Sequence, residues 1–177
     1  MTAERELVQA VIEVLDQGEE LLAWVDDAAW IRTVPAVFDG SIGAHYRHCL
    51  DHLRSLLDAA SGAGLDYDVR ERGTPVERDR AAALAATRTL REAWARLHPA
   101  CLRRQLAVTC KTSVASRGSQ RAASTVGREV MYVVAHAVHH YALIAVLAGM
   151  LGVRVPDGFG VAPSTAQYQD GRRRAGA

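Results

Sequence analysis

The chain has 177 residues, 49% of them hydrophobic, which suffices for one domain with a sizeable core. Its net charge of +1 creates no strong field for nucleic acid or an anionic membrane, so neither is expected as a partner. The amino terminus lacks the apolar core of a signal peptide and no stretch reaches about 18 uncharged apolar residues, so a cytoplasmic location is predicted.

The first half of the chain predicts two long helices. Apolar residues at helical spacing indicate a first helix over residues 4–25, and a proline and a glycine indicate a loop over residues 26–40. Ser41 is a good N-cap for a second helix over residues 42–59, which two glycines end. A charged connection over residues 65–73 follows.

The second half predicts two more long helices with a β-hairpin between them. Thr74 followed by Pro75 and, three residues after the cap, Glu77 indicates a third helix that runs to about residue 97. β-favouring residues around 106–110 predict a short hairpin with residues 120–124. Ser124 or Thr125 then caps a fourth helix that ends near residue 151.

Together these elements predict a mainly all-α fold, an up-down four-helix bundle with a small hairpin between its third and fourth helices. The bundle domain is expected to comprise residues 1–165. Residues 166–177, rich in Gly, Ala and Arg, are expected to form a disordered tail.

Six of the seven histidines fall in just two of the predicted helices: His45, His48 and His52 in the second, and His136, His139 and His140 in the fourth. Residues four apart lie about 40° apart around a helix, so His136 and His140 can converge on one metal ion. His139 lies the other way around the helix. A third ligand must come from the second helix, where the spacing leaves all three histidines open. The three cysteines form no CxxC pair and predict neither a disulfide nor a cysteine-based zinc site.

Two carboxylates lie near these histidines. Asp51 flanks His48 and is predicted to support it by a hydrogen bond. Glu129 lies two turns before His136 and is the best candidate for a fourth ligand, a general base or an orienting group. The site is not that of a zincin metalloprotease, because Ala137 stands where that motif has its catalytic glutamate.

The segment between the second and third helices is densely charged. Within it, Tyr67, Arg70 and Arg72 are candidates for substrate binding, since the two arginines could clamp a carboxylate above a metal. The alternative is a solvated loop without a role in binding.

These residues resemble the DinB-like superfamily of metal-binding four-helix bundles, also called the YfiT-type fold. The shared pattern is a helix that opens Ser-x-Gly, a His seven residues after the Ser, and HxxxH on the last long helix. In this chain it is carried by Ser41, Gly43, His48, His136 and His140. The resemblance covers residues 4–151. It implies that His48, His136 and His140 bind the metal and leaves His45 and His52 to surround them, as is also expected of His139.

The resemblance further implies that the metal is Zn, Ni or Fe and that the protein is a homodimer. Some members of the family are thiol-dependent S-transferases. Three imidazoles leave an ion an open position, where it can acidify a water or bind a thiolate. We therefore expect a metal-dependent hydrolase or thiol S-transferase that acts on a small molecule. The alternatives are a metal-binding module without turnover and a metal-free helical interaction protein.

Overall fold

The computed structural model describes residues 2–35, 39–62, 64–69, 71–115 and 117–175. Its helices, in chain order, are α1 (Ala3–Trp24), α2 (Asp27–Ile31), α3 (Ile42–Ala60), α4 (Arg80–Arg96), α5 (Val126–Met150) and α6 (Pro163–Ala175). The four long helices α1, α3, α4 and α5 form a ring in which α1 and α3 each pack against both α4 and α5. Their inward faces supply fully buried residues such as Val11, Leu15, Leu53, Ile144 and Leu147. The predicted mainly helical bundle is confirmed.

The predicted starts of the two histidine-bearing helices are confirmed by their caps. The Ser41 hydroxyl accepts a hydrogen bond from the Ala44 amide at 3.1 Å, and the Thr125 hydroxyl accepts one from the Arg128 amide at 3.2 Å. Both bonds satisfy amides that have no partner inside the helix. Each cap thereby fixes where its helix begins, at least one turn before the first histidine of that helix.

The predicted start of the third helix is wrong by about one turn. Pro75–Glu77 forms a separate 3-10 turn, and α4 begins only at Arg80. Asp79 supplies the cap, since its carboxylate accepts a hydrogen bond from the Ala81 amide at 2.8 Å, whereas the Thr74 side chain makes no capping bond.

The 3-10 turn is docked on the start of α3 through Gly43. A Cβ atom at Gly43 would lie 2.3 Å from the carbonyl oxygen of Glu77 and 2.6 Å from Nε1 of Trp30. That nitrogen donates to the carbonyl of Val76 at 3.1 Å. The glycine of the Ser-x-Gly pattern is therefore required by close packing of backbone and indole against the helix.

The predicted hairpin is present as strands β2 (Gln105–Cys110) and β3 (Gln120–Thr125), paired antiparallel. A third strand that was not predicted, β1 (Leu65–Asp66), runs parallel to β2 and completes a sheet of order β1-β2-β3. This sheet lies at the end of the bundle where α5 begins. It brings the segment after α3 next to the first turn of α5.

The carboxyl-terminal part contains a helix that was not predicted, while the predicted disorder of residues 166–177 stays a prediction. Residues Pro163–Ala175 form α6, none of whose side chains is buried. Before it, Phe159 is buried and stacks on Tyr141 of α5 with ring centroids 4.6 Å apart. The domain boundary near residue 165 stays a prediction.

Helix α5 is, among the described residues, long and apolar enough to cross a membrane by length and composition. A helix at the centre of a bundle meets the same criteria. Here α5 packs against α1 and α3 and carries three histidines, so its apolar character is explained by its place in the core. The cytoplasmic location stays a prediction.

Candidate metal centre

The seam between α3 and α5 brings the predicted ligands together. The Nε2 atoms of His48 and His136 lie 2.9 Å apart, and the His140 ring is 4.6 Å from both rings, centroid to centroid. One nitrogen from each of the three residues lies within 4.8 Å of the other two. All three side chains are half-buried, so an ion between them would be partly shielded from solvent.

His45 is hydrogen-bonded to His140. The Nδ1 atoms of the two rings are 3.0 Å apart, at hydrogen-bonding distance, with one ring donating to the other. Because Nδ1 of His140 is engaged in this way, its Nε2 is the atom that can bind an ion. A ligand imidazole whose second nitrogen is hydrogen-bonded is the usual arrangement at protein metal sites.

His52 contacts both His48 and His136. It is buried, and its Nδ1 donates to the main-chain carbonyl of His48 at 3.1 Å. Its ring stacks on His136 with centroids 4.3 Å apart and an interplanar angle of 25°. His139 is exposed, and its ring lies 5.4 Å from that of His140. The roles assigned to His52 and His139 in supporting the site stay predictions.

The electrostatics keep His140 and His45 neutral. Burial, followed by the neighbouring charges of His136 and His45, lowers the pKa of His140 to about 3. Burial, followed by His139, also lowers the pKa of His45. Only neutral imidazole has a lone pair to bind a metal, so His140 is ready to act as a ligand at neutral pH. The donor set thus fits a divalent ion.

Asp51 is bound by a neighbour on its own helix. Its carboxylate pairs with the buried guanidinium of Arg47, which also pairs with Glu77 and donates to the main-chain carbonyl of Glu71 at 2.9 Å. Sequence reasoning did not assign this role to Arg47, because the burial of an arginine cannot be read from its own helix. A hydrogen bond from Asp51 to His48 stays a prediction.

Glu129 is buried two turns from His136 with both carboxylate oxygens engaged. One oxygen accepts from the Tyr67 hydroxyl at 2.9 Å, and the other from Ser124 at 2.6 Å and from the Arg128 guanidinium at 2.9 Å. The carboxylate is not among the groups that could hold the ion. Its roles as general base or orienting group stay predictions.

The candidate substrate-binding residues lie in different surroundings. Tyr67 is buried, and its ring stacks on His52 at 4.9 Å with an interplanar angle of 10°. Arg72 is exposed, and Arg70 lies outside the described residues. Burial, followed by the negative charge of Glu129 and the hydrogen bond to it, raises the pKa of Tyr67, so its hydroxyl stays protonated.

Tyr132 is a site residue that sequence reasoning missed. Its ring stacks on His136 at 5.6 Å and lies 5.1 Å from that of Tyr67. The signal was present in the sequence, since Tyr132, His136 and His140 recur every four residues on one face of the helix. The two tyrosines form a wall between the histidines and the hairpin.

Comparison with known proteins shows the family of the chain. Residues 3–144 match the sequence profile of the DinB superfamily. A relative, the FK506-binding protein 5 of Rhizopus delemar, is 35% identical over 104 residues, which are 59% of this chain and 27% of that protein. The chain therefore spans only about a quarter of that relative's length.

Proposed function

Because this chain belongs to the DinB superfamily, we propose that it binds one divalent metal ion through His48, His136 and His140 and acts on a small molecule. The observation that carries the proposal is the convergence of three ring nitrogens within 4.8 Å at the α3–α5 seam. Among the described residues no carboxylate or thiolate joins this group. Three protein ligands with a further position left open are typical of catalytic rather than structural sites.

The reaction proposed is hydrolysis or thiol S-transfer. An ion in this position supplies Lewis acidity, which favours the ionised form of a water or a thiol. The chain's own residues supply orientation, since His45 holds His140 through Nδ1 and His52 packs on His136. Imidazole donors suit Zn, Ni or Fe, so these are the metals we propose.

Glu129 is proposed as a positioning residue in this reaction. Its carboxylate holds the Tyr67 hydroxyl at 2.9 Å, and the Tyr67 ring packs on His52 beside the metal ligands. A change of Glu129→Gln keeps the side-chain volume but weakens the charge-assisted bonds to Ser124 and Arg128. We expect it to alter the pH profile of turnover while leaving metal content unchanged, and loss of the metal would contradict this role.

The metal proposal is tested by elemental analysis of protein purified without a histidine tag. We expect about one ion per chain, lost in His48→Ala and retained in His98→Ala, which changes a histidine outside the seam. If the wild-type protein holds no near-stoichiometric metal and added Zn or Ni leaves its melting temperature unchanged, the proposal is wrong.

The alternative is an ion that ties α3 to α5 without turnover, because the same ligands join the two helices. Cobalt-substituted protein separates the two functions. A visible spectrum that changes when a small thiol is added indicates an exchangeable position and supports an enzyme. A spectrum that does not respond indicates a closed coordination shell and favours the structural role.

We also propose that the protein forms a homodimer through the outward face of α5. Val146 and Met150, about one turn apart on this helix, are each more than half exposed, at 52% and 53%. Exposed apolar side chains that lie close together commonly mark association surfaces. Light scattering is expected to give twice the chain mass, reduced to one chain mass by Val146→Glu, and a monomeric wild-type protein would contradict the proposal.

A further inference from the structure

A cavity of about 350 Å³ lies between the hairpin and the first turns of α5. We call it the hairpin cavity; its lining includes Tyr67, Val108, Cys110, Ala122, Arg128 and Tyr132. The ordinary volume of a site for a small molecule is about 300–1,000 Å³. The cavity therefore has room for a ligand of the size of a substituted benzene ring.

The hairpin cavity shares a wall with the metal centre. Tyr67 and Tyr132 line it, and the same two rings stack on His52 and His136 at 4.9 and 5.6 Å. A ligand in the cavity would thus be separated from His136, a proposed metal ligand, by the single ring of Tyr132.

The body of the cavity suits a flat apolar group. Two tyrosine rings, 5.1 Å apart and inclined at 52°, offer aromatic faces and edges. Val108 and Ala122, which face each other across the hairpin, add apolar surface. An aromatic ring packs favourably on such rings in offset or edge-to-face geometry.

Arg128 is the accessible charged group of the cavity. Its ion-pair partner Glu129 is 2% exposed, and the oxygens of Glu129 already accept from Tyr67, Ser124 and Arg128, so Glu129 offers a ligand little contact. The Arg128 side chain, by contrast, is 65% exposed and extends over Tyr132, with its guanidinium carbon 5.8 Å from the ring centroid. A guanidinium has five N–H donors in a planar fork that matches a carboxylate.

We propose that the hairpin cavity binds a small aromatic carboxylate, with its ring against Tyr67 and Tyr132 and its carboxylate on Arg128. That this ligand is the substrate of the metal centre rests on the proposed function. The binding itself does not, because none of the three proposed metal ligands lines the cavity.

The test uses benzoate as the probe, with metal-free wild-type protein and ligand-observed NMR. For nine non-hydrogen atoms we expect a dissociation constant of about 1–10 mM. Neutral benzamide is expected to bind at least about tenfold more weakly, because it lacks the charge that pairs with Arg128. Benzoate should also slow the alkylation of Cys110, followed by peptide mass spectrometry, since this thiol lines the cavity.

Variants identify the site. Arg128→Gln is expected to weaken benzoate binding at least about tenfold. The control is Arg121→Gln, which lies on the hairpin but outside the cavity lining and should leave binding unchanged. Ala122→Trp fills the cavity without removing a member of the Arg128–Glu129 pair and should abolish binding. It serves as the independent check if Arg128→Gln destabilises the fold.

The outcomes separate this proposal from the proposed function. Benzoate binding that persists in His48→Ala supports the hairpin cavity even if no metal is ever found. Equal affinity for benzamide, unchanged binding in both cavity variants, or binding that appears only with added metal would overturn the proposal. In the last case the carboxylate would be bound by the ion instead of by Arg128.

Discussion

Tyr46 and Tyr141 follow His45 and His140 directly in the chain, yet the tyrosine pair and the histidine pair form different kinds of hydrogen bond. The tyrosines are fully buried. The Tyr46 hydroxyl bonds to Thr87 at 2.7 Å, and the Tyr141 hydroxyl donates to the main-chain carbonyl of Val14 at 3.0 Å. We call these two residues the tyrosine layer, and both of their hydroxyls have hydrogen-bond partners within the protein.

We call His48, His136 and His140, on the neighbouring face of the same two helices, the histidine layer. Their arrangement could accommodate a metal ion. Nε2 of His48 faces Nε2 of His136 at 2.9 Å, and the third ring converges on them. These side chains are half-buried, and one nitrogen of each lies within 4.8 Å of the other two. Three imidazoles that converge in this way could hold an ion between them. The contrast separates residues that build the fold from residues that are proposed to bind a ligand.

The largest expected effect is on metal affinity. His136→Ala removes one of three ligands, and we expect affinity for Zn to fall by more than about 100-fold, because loss of a supporting residue alone costs about 10–100-fold. Competition with a chromophoric chelator measures the change. Tyr141→Phe, in the tyrosine layer, is the matched control and should keep the affinity. Equal losses in both variants would show that the two layers are not distinct.

A substitution in the tyrosine layer should affect stability instead. A Cβ atom at Gly18 of α1 would lie 2.5 Å from the hydroxyl oxygens of both Tyr46 and Tyr141. We expect Gly18→Ala to lower the free energy of unfolding by about 1–3 kcal/mol through overpacking, measured by urea denaturation of the metal-free protein.

The control for this change is Gly149→Ala on α5, where a new Cβ atom would meet nothing within 4 Å. It is expected to raise the free energy of unfolding by up to about 1 kcal/mol, because alanine favours helix. Stabilisation by Gly18→Ala would contradict the packing described for the tyrosine layer.

The histidine layer could be predicted from sequence because its signals are local. His136 and His140 share a helix face, and Ser41 and Thr125 cap their helices by contacts within three residues. The choice of His48 needed the family pattern, since spacing left three candidates.

Other features depend on contacts between distant residues. The strand Leu65–Asp66 has two residues, too few for a periodic signal, and exists because it pairs with β2. The bond from Tyr67 to Glu129 joins residues 62 positions apart. Arg47 is buried only because Glu77 and Glu71 return to it after the chain turns. No local pattern records such pairings, so they emerge only from the packed fold.

A smaller effect is expected from the hydrogen bond between His45 and His140. His45→Ala removes the partner of Nδ1 of His140, and we expect about a tenfold loss of Zn affinity. The matched control is His139→Ala, which removes an exposed ring on the other flank of His140. Titration with Zn against a chelator of known affinity measures both. An equal loss in the two variants would show that the bond to His45 does not orient the ligand.

The smallest expected effect is on the pH dependence of the free energy of unfolding. It distinguishes the two layers in metal-free protein. The folded state keeps His140 neutral down to a pKa of about 3, whereas an unfolded chain takes up the proton near 6.5. The unfolded state therefore binds more protons between these values, and the free energy of unfolding falls as the pH drops below about 6.5. A single proton limits the loss to about 1.4 kcal/mol per pH unit, and solvent reduces it further because the ring is only half-buried.

Melting curves of metal-free protein at pH 7.5 and 5.5 measure this loss. His140→Gln, which cannot titrate, should show a smaller difference between the two pH values than the wild type. Tyr141→Phe should show the same difference as the wild type, because burial raises the pKa of Tyr141 well above its usual range and that layer does not titrate here. A wild-type stability that rises toward pH 5.5 would mean that the histidines gain protons on folding, and that the layer is not held ready for a metal.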